Sequence, residues 1–333
     1  MQFTTGRRWA MVAAVVAAAA LTLSGCSGSS SPNQSGDSGA APGNTTDYTV
    51  AVVTHGTPGD PFWAVVKAGA EAAGKQYGIT VTYQSDPDPA KQSQLIENAI
   101  AAKVNGVVVS MANPDGVKQA IADAEAAKIP VITINSGEEQ SQAFGALNHV
   151  GQDESIAGQG AGSHMKALGV KNMICIIHEA GNVGLEQRCA GAAQTLGGTV
   201  KNVQVSVANV ADAQNTIKSA LLADPSIDGV LTLNPAIAVA ASNAIDQAGL
   251  GGKVQLATFD TSTDVLKLIE QGQIAFAIDQ QPYLQGYLPV VLFNLYWTNG
   301  NVVGGGQPIL SGPGYITKDN AADVETYSAA GTR

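Results

Sequence analysis

From Tyr48 onward, short runs of apolar and β-branched residues alternate with longer Ala-rich segments whose apolar positions recur every three or four residues. Continuous apolar runs bounded by turn residues fit strands buried on both faces, and the amphipathic segments between them fit crossover helices. The alternation predicts strands over 48–53, 79–84, 105–110, 130–134 and 144–150, then 171–177, 199–206, 227–233, 253–259 and 274–279. Helices are expected over 60–77, 90–102, 115–127, 153–168, 184–197, 210–223, 235–248, 261–271 and 283–298. Such a series divides into two doubly wound parallel sheets, an α/β protein of two lobes.

Several helix starts are marked. Asp60-Pro61, Asn113-Pro114, Asn234-Pro235 and Asp260-Thr261 each place a capping oxygen before a first turn, three of them with Pro at the first helical position. All four stand where a strand hands over to a helix. In open α/β sheets that edge is where ligands bind, because helix N-termini and strand-end side chains converge there.

Composition adds an address. Arg7 and Arg8 precede an uncharged run from Trp9 to Leu23, followed by Leu23-Ser24-Gly25-Cys26. That order is the order of a secretory signal, predicted over 1–25, and the run is short for a membrane span. Leu-Ser-Gly-Cys resembles the lipobox of bacterial lipoproteins, which implies a lipid on Cys26. Residues 26–47, rich in Ser, Gly, Pro, Asn and Thr, then read as a flexible tether. Without the signal, 15 basic residues face 27 acidic ones, a net charge of −12. No basic cluster follows residue 26, so nucleic acid is not an expected partner. In an exported chain Cys175, in a predicted strand, and Cys189, in the next helix, are placed either to form a disulfide or to stay two buried thiols.

A resemblance covers most of the chain. The stretch from Val52 through His55-Gly56 to Gly59-Asp60-Pro61-Phe62-Trp63 resembles the first strand and helix of ribose- and galactose-type periplasmic sugar-binding proteins. Four further signatures follow in order: Ile129 to Asn135, Gly229 to Asn234, Phe259-Asp260, and Ile278-Asp279-Gln280-Gln281-Pro282. The resemblance implies the periplasmic binding protein type I fold, two lobes joined by a three-segment hinge. Residues 48–150 plus 282–307 would form the N-terminal lobe, and 152–280 plus 308–325 the C-terminal lobe. The chain would then be a monomeric, extracytoplasmic lipoprotein. It would capture a sugar or sugar alcohol by hinge closure and deliver it to the permease and ATPase of an ABC transporter. A receptor presenting the same closed form to a membrane kinase or chemoreceptor is the alternative.

The residue types suit such a ligand. A carbohydrate offers dense hydroxyls, which Asp, Asn, Gln and Arg can pair, and apolar C–H faces, which an aromatic ring can cover. The resemblance places Asp60, Phe62, Trp63, Asn135, Asn234, Asp260 and Gln280 at the ligand, with His55 at a strand end beside them. In the segment Asn182 to Arg188, either Arg188 is the family's ligand arginine, or Glu186 stands in its place and Arg188 makes a structural pair. Asn135-Ser136-Gly137 departs from the Asp-Arg of ribose-type proteins and points away from ribose toward another hydroxyl pattern or a longer polyol. His55, His149, His164 and His178 have no metal-type spacing, and neither a nucleophile elbow nor a dinucleotide fingerprint is present. No metal, cofactor or catalysis is therefore expected.

Overall fold

The computed structural model describes residues 47–333, so the expected signal, Cys26 and all but the last residue of the tether lie outside the described residues. The first lobe runs β1 (Thr49–Thr54), α1 (Pro61–Tyr77), β2 (Thr80–Ser85), α2 (Pro89–Ala101), β3 (Gly106–Ser110), α3 (Pro114–Ala126), β4 (Val131–Ile134), the short α4 (Glu138–Ser141) and β5 (Asn148–Gly151). The chain then crosses and builds the second lobe. This comprises α5 (Glu154–Ala167), β6 (Asn172–Ile177), α6 (Val183–Leu196), β7 (Thr199–Gln204), α7 (Val210–Ala223), β8 (Gly229–Thr232), α8 (Pro235–Gln247), β9 (Gln255–Phe259), α9 (Thr263–Glu270) and β10 (Phe276–Asp279). It returns to the first lobe for α10 (Pro282–Asn299) and β11 (Ile309–Leu310), and ends in the second with β12 (Gly314–Ile316) and α11 (Ala321–Ala329).

Each lobe holds a six-stranded sheet, in the order β11-β5-β4-β3-β1-β2 and β12-β10-β9-β8-β6-β7. All pairings are parallel except that of β10 with β12. Interior strands such as β3 (Gly-Val-Val-Val-Ser) and β8 (Gly-Val-Leu-Thr) are buried throughout, as helices on both faces require, whereas the edge strands β2 and β7 alternate with solvent. The apolar residues accordingly gather into two clusters per lobe, one on each face of its sheet.

Three differences from the sequence reading have physical causes. Ile309 and Leu310 pair with Val150 and Gly151, so residues 308–310 belong to the first lobe and the last crossing falls between Leu310 and Gly314 rather than at 307/308. A two-residue strand has no periodicity of its own; its partner strand defines it. Next, α9 is capped by Ser262, whose hydroxyl accepts from the Val265 N–H at 3.2 Å, and not by Asp260. Asp260 takes a left-handed conformation, φ 66°, which ends β9 three residues before the helix and turns its carboxylate elsewhere. Finally, the run 144–150 is a strand only from Asn148, because α4 and the turn after it occupy the residues before.

Cys175 on β6 and Cys189 on α6 form a disulfide across Cα atoms 5.8 Å apart. Beside it α5 and α6 approach until their backbones nearly touch. A Cβ on Gly158 would lie 2.3 Å from the Arg188 carbonyl oxygen, and one on Gly191 would lie 2.4 Å from that of Ser155. This contact fixes the height of Arg188 over the sheet. Gly158→Ala is expected to lower the unfolding free energy by about 1–3 kcal/mol in urea titration, since backbone must move to admit the methyl group. Gly251→Ala, whose Cβ meets nothing nearer than 3.5 Å, should stay within about 0.5 kcal/mol of wild type.

Candidate functional site

The carboxyl ends of both sheets face one another, and the loops that leave them line a small cavity between the lobes. The first lobe contributes His55 from the end of β1, Asp60, Phe62 and Trp63 from the start of α1, and Asn135 from the end of β4. From the second come His178, Glu179, Asn182, Leu185 and Arg188 around the start of α6, Leu233 and Asn234 after β8, Asp260 after β9, and Gln280 after β10.

Local chemistry explains how each side chain is aimed. The Asp60 carboxylate divides its work: Oδ1 accepts from the Phe62 N–H at 3.0 Å and caps α1, while Oδ2 accepts from the Asn234 amide of the other lobe at 2.9 Å. Asn234 is itself an N-cap, its Oδ1 accepting from the Ala236 N–H at 2.8 Å. Asn182 repeats that pattern on α6, accepting from the Gly184 N–H at 3.0 Å and from the Ser136 hydroxyl of the first lobe at 3.2 Å. Caps at strand-to-helix handovers thus serve twice, once for the helix and once for the cleft.

Asn135 and Asp260 are left-handed, φ 63° and 66°, a conformation that Asn and Asp tolerate better than bulkier residues. Between them Gln280 donates to Asp260 at 2.9 Å and accepts from Asn135 at 3.1 Å. Trp63 stands edge-on to His55 and Phe62, with ring centroids 4.7 and 5.0 Å away. Gly56 lies under the indole, where a Cβ would come within 2.5 Å of Trp63 Cγ, so only glycine lets the ring reach the cavity wall. The same ring packs in the core of the first lobe, and its truncation would therefore injure fold and site together.

Arg188 answers an alternative that the sequence left open. Its Nε and Nη2 donate to the Glu154 carboxylate at 2.6 and 2.8 Å, and its guanidinium lies 4.5 Å over the Phe259 ring. That fork uses two of its five N–H groups, and the guanidinium still lines the cavity. Glu186 is exposed and does not line the cavity, which corrects its candidacy: two residues along a helix from Arg188, it faces nearly the opposite way.

Burial sets the charges. It pushes the Asp260 carboxyl up to about 8, against the opposing pull of Arg188 and the Gln280 amide. Burial likewise raises Asp60 to about 6, with the neighbouring Glu179 adding to the shift. His55 is driven down to about 3 and His178 to about 4, first by burial, so both rings are neutral at pH 7. Burial also opposes the charge on Arg188, but the Glu154 pair outweighs it and holds the guanidinium ionised. The cavity therefore presents neutral imidazoles, amides and carboxyl groups, plus one arginine already matched by a carboxylate. Such a lining pairs well with uncharged hydroxyls and poorly with phosphate or carboxylate ligands. Among the described residues no group of three His, Cys, Asp or Glu side chains is arranged to hold a metal ion.

Nine of the ten proposed contact residues meet at this cavity, Glu186 being the exception, and His178 stands beside them at the end of β6. Glu179, Asn182, Leu185 and Leu233 were not singled out in the sequence. Asn182 did carry a usable signal, the same capping asparagine before a helix that marks Asn234, but without the proline.

The sequence profile of the periplasmic binding protein domain matches residues 50–300. The chain is 29% identical to the ribose import binding protein of Salmonella typhimurium over 70% of its own length and 79% of the relative's. It is 27% identical to a xylose/arabinose-binding protein of Sulfolobus acidocaldarius over 68% of its own length, and spans 60% of that longer protein. Among solved structures, a carbohydrate transporter from Acidothermus cellulolyticus in complex with myo-inositol superposes with a TM-score of 0.84 at 42% identity. That match covers 86% of this chain and 100% of the other. An ABC transporter solute-binding protein from Actinobacillus succinogenes with bound D-allose gives a TM-score of 0.73 at 26% identity, covering 83% and 100%.

The raised Asp260 pKa fixes the sign of a pH effect. A carboxyl that titrates near 8 when folded, against an ordinary value near 3.8, holds an extra proton in the folded state between those limits. The stability it contributes is full below pH 4 and is lost as pH rises toward 8. Asp260→Asn, which cannot ionise, is expected to gain about 2 kcal/mol or more over wild type at pH 8.5 relative to pH 4.5. Unfolding titrations of the two proteins at both pH values check this, and a difference that does not grow with pH contradicts it.

Proposed function

The chain belongs to the periplasmic binding protein domain family, and from that premise we propose that it captures a neutral cyclic polyol, myo-inositol or a near relative, by closing its lobes over the ring. The observation that carries this reading is the pairing of an amide-rich cavity, whose one arginine is already matched by a carboxylate, with a 42% identical neighbour whose bound ligand is myo-inositol. Inositol carries a hydroxyl on every ring carbon, so it needs partners all round its edge and apolar cover on its faces. Asp60, Asn135, Asn182, Asn234, Asp260, Gln280 and Arg188 provide the first from both lobes. Trp63, Phe62, Leu185 and Leu233 provide the second.

The bound form would be handed to an ABC permease, as the import role of the ribose-binding relative suggests, and the protein acts as a carrier rather than an enzyme. Lipid attachment at Cys26 would hold it at the outer face of the cytoplasmic membrane, with residues 27–47 as the tether; the sequence around Cys26 is what supports this.

Calorimetric titration tests the reading. Myo-inositol is expected to bind, and at 100 times its Kd to stabilise the protein by about 2.7 kcal/mol. Asp260→Ala should weaken binding by about 1–3 kcal/mol, because buried ligand hydroxyls are then left without their carboxyl partner. Failure of myo-inositol and of a panel of hexoses and alditols to shift the unfolding midpoint would remove the polyol assignment. Separately, Cys26→Ser should move the protein from the membrane to the soluble fraction of expressing cells with its ligand affinity intact. Retention of the variant in the membrane would count against the anchor.

A further inference from the structure

Outside the ligand cavity, toward the edge strands β2 and β7 and away from the three crossings, the lobes border a second, open chamber of about 420 Å³. The two spaces share a wall: His55, His178, Glu179 and Asn182 line both. We infer that this chamber is a subsite for a neutral substituent O-linked to the bound ring, so that the ligands include glycosylated or alkylated cyclic polyols. The inference rests on the polyol reading of the inner cavity.

Within the shared wall, the contact of His55 with the second lobe is loose, although Asn182 itself is fixed by Glu179 at 2.7 Å and by Ser136 at 3.2 Å. His55 Nε2 lies 3.5 Å from Asn182 Nδ2 and 3.7 Å from Glu179 Oε2, at or beyond the limit of a hydrogen bond. Nearer the crossings the lobes meet through shorter bonds, Asn234 to Asp60 at 2.9 Å and Asn135 to Gln280 at 3.1 Å. A substituent passing between His55 and Asn182 therefore displaces little, whereas one directed toward the crossings would break good bonds. His178 adds an independent observation. It is more than nine-tenths buried, and its Nδ1 is one of the few buried side-chain polar atoms with no hydrogen-bond partner among the described residues. Such an atom is costly to leave unmatched, and an O-linked sugar, whose hydroxyls donate and whose oxygens accept, can match it in either tautomer of the neutral ring. The chamber walls are largely apolar, with Pro87 and Pro89 from the first lobe and Val205 and Val207 from the second, and Glu179 is the one carboxylate. A neutral sugar or alkyl group suits those walls and a phosphate does not.

The test uses the whole soluble domain, with myo-inositol and an O-galactosyl myo-inositol titrated calorimetrically. Wild type is expected to bind the galactoside within tenfold of the free ring. Ala208→Trp and Val207→Trp fill the chamber from the turn before α7 without touching the inner cavity. Each should cut galactoside affinity at least tenfold and leave myo-inositol within twofold, which also reports that the variant is folded. The subsite is overturned if wild type binds the galactoside more than tenfold more weakly than the ring, or if both variants bind it as wild type does. If wild type binds neither compound, the polyol reading itself falls and takes the subsite with it.

Discussion

The whole arrangement depends on one fully buried amide, that of Gln280. It sits where the chain passes from β10 back to the first lobe, and every polar atom of its side chain is engaged. Its nitrogen donates to Asp260, and its oxygen accepts from Asn135 and from Gln285, the latter at 2.8 Å. Gln285 in turn reaches the Ser311 hydroxyl, and Ser311 donates to the Gly151 carbonyl. All three crossings, at 151–153, 280–282 and 311–313, are thereby tied into one buried polar cluster. A half-satisfied cluster of this kind would be worse than an apolar one, so the positions of its members are tightly determined. Because Asn135, Asp260 and Gln280 are also cavity residues, the crossing between lobes and the reading of the ligand are a single structural problem.

That coupling explains the local strain. Asn135, Asp260 and Gln281 all hold positive φ, three of the five non-glycine residues that do so among those described. Each lies where a strand ends and the backbone must turn a side chain toward the cluster or swing into a crossing. The cost is of order 1–3 kcal/mol per residue and persists only where surrounding bonds over-determine the conformation. Here they do: the Asp260 N–H reaches the Ile278 carbonyl at 2.7 Å, that of Asn135 reaches Val150, and the Gln281 N–H reaches the Asp279 carboxylate at 2.8 Å.

The sequence disclosed the frame of this site better than its fine aim. Interior strands are legible because both faces are buried, which leaves long apolar runs, and Asp60 and Asn234 are legible because a cap before proline marks the strand end. What escaped is what tertiary partners decide. The strand at Ile309–Leu310 exists because β5 offers an edge, and Ser262 caps α9 because Asp260 is drawn away by Gln280. The choice between Glu186 and Arg188 needed the rotation of α6 about its axis, which is set by Gly158 of α5 and Gly191 of α6 where the two helices touch, and not by anything in the segment itself. Glu179 and Asn182 enter the cavity because the turn after β6 folds them over it, a path without a periodic signature.

The closed form also has lobe-to-lobe contacts that no ligand supplies. Outside the cavity the Val183 N–H donates to the Ala112 carbonyl at 3.0 Å, and Gln187 donates to Glu139 at 3.0 Å, each bond joining one lobe to the other. Gly184 makes that approach feasible, since a Cβ there would lie 2.8 Å from the Ser136 hydroxyl. These contacts do not depend on which hydroxyls a ring presents. A ligand shifts the lobes toward this form only by the affinity it has for the closed cavity over the open one. Once the lobes meet, the lobe-to-lobe contacts fix the outer surface. A cavity can then change its hydroxyl pattern, as Asn135-Ser136 has changed relative to the Asp-Arg of ribose-type relatives, while the closed surface offered to a partner stays the same.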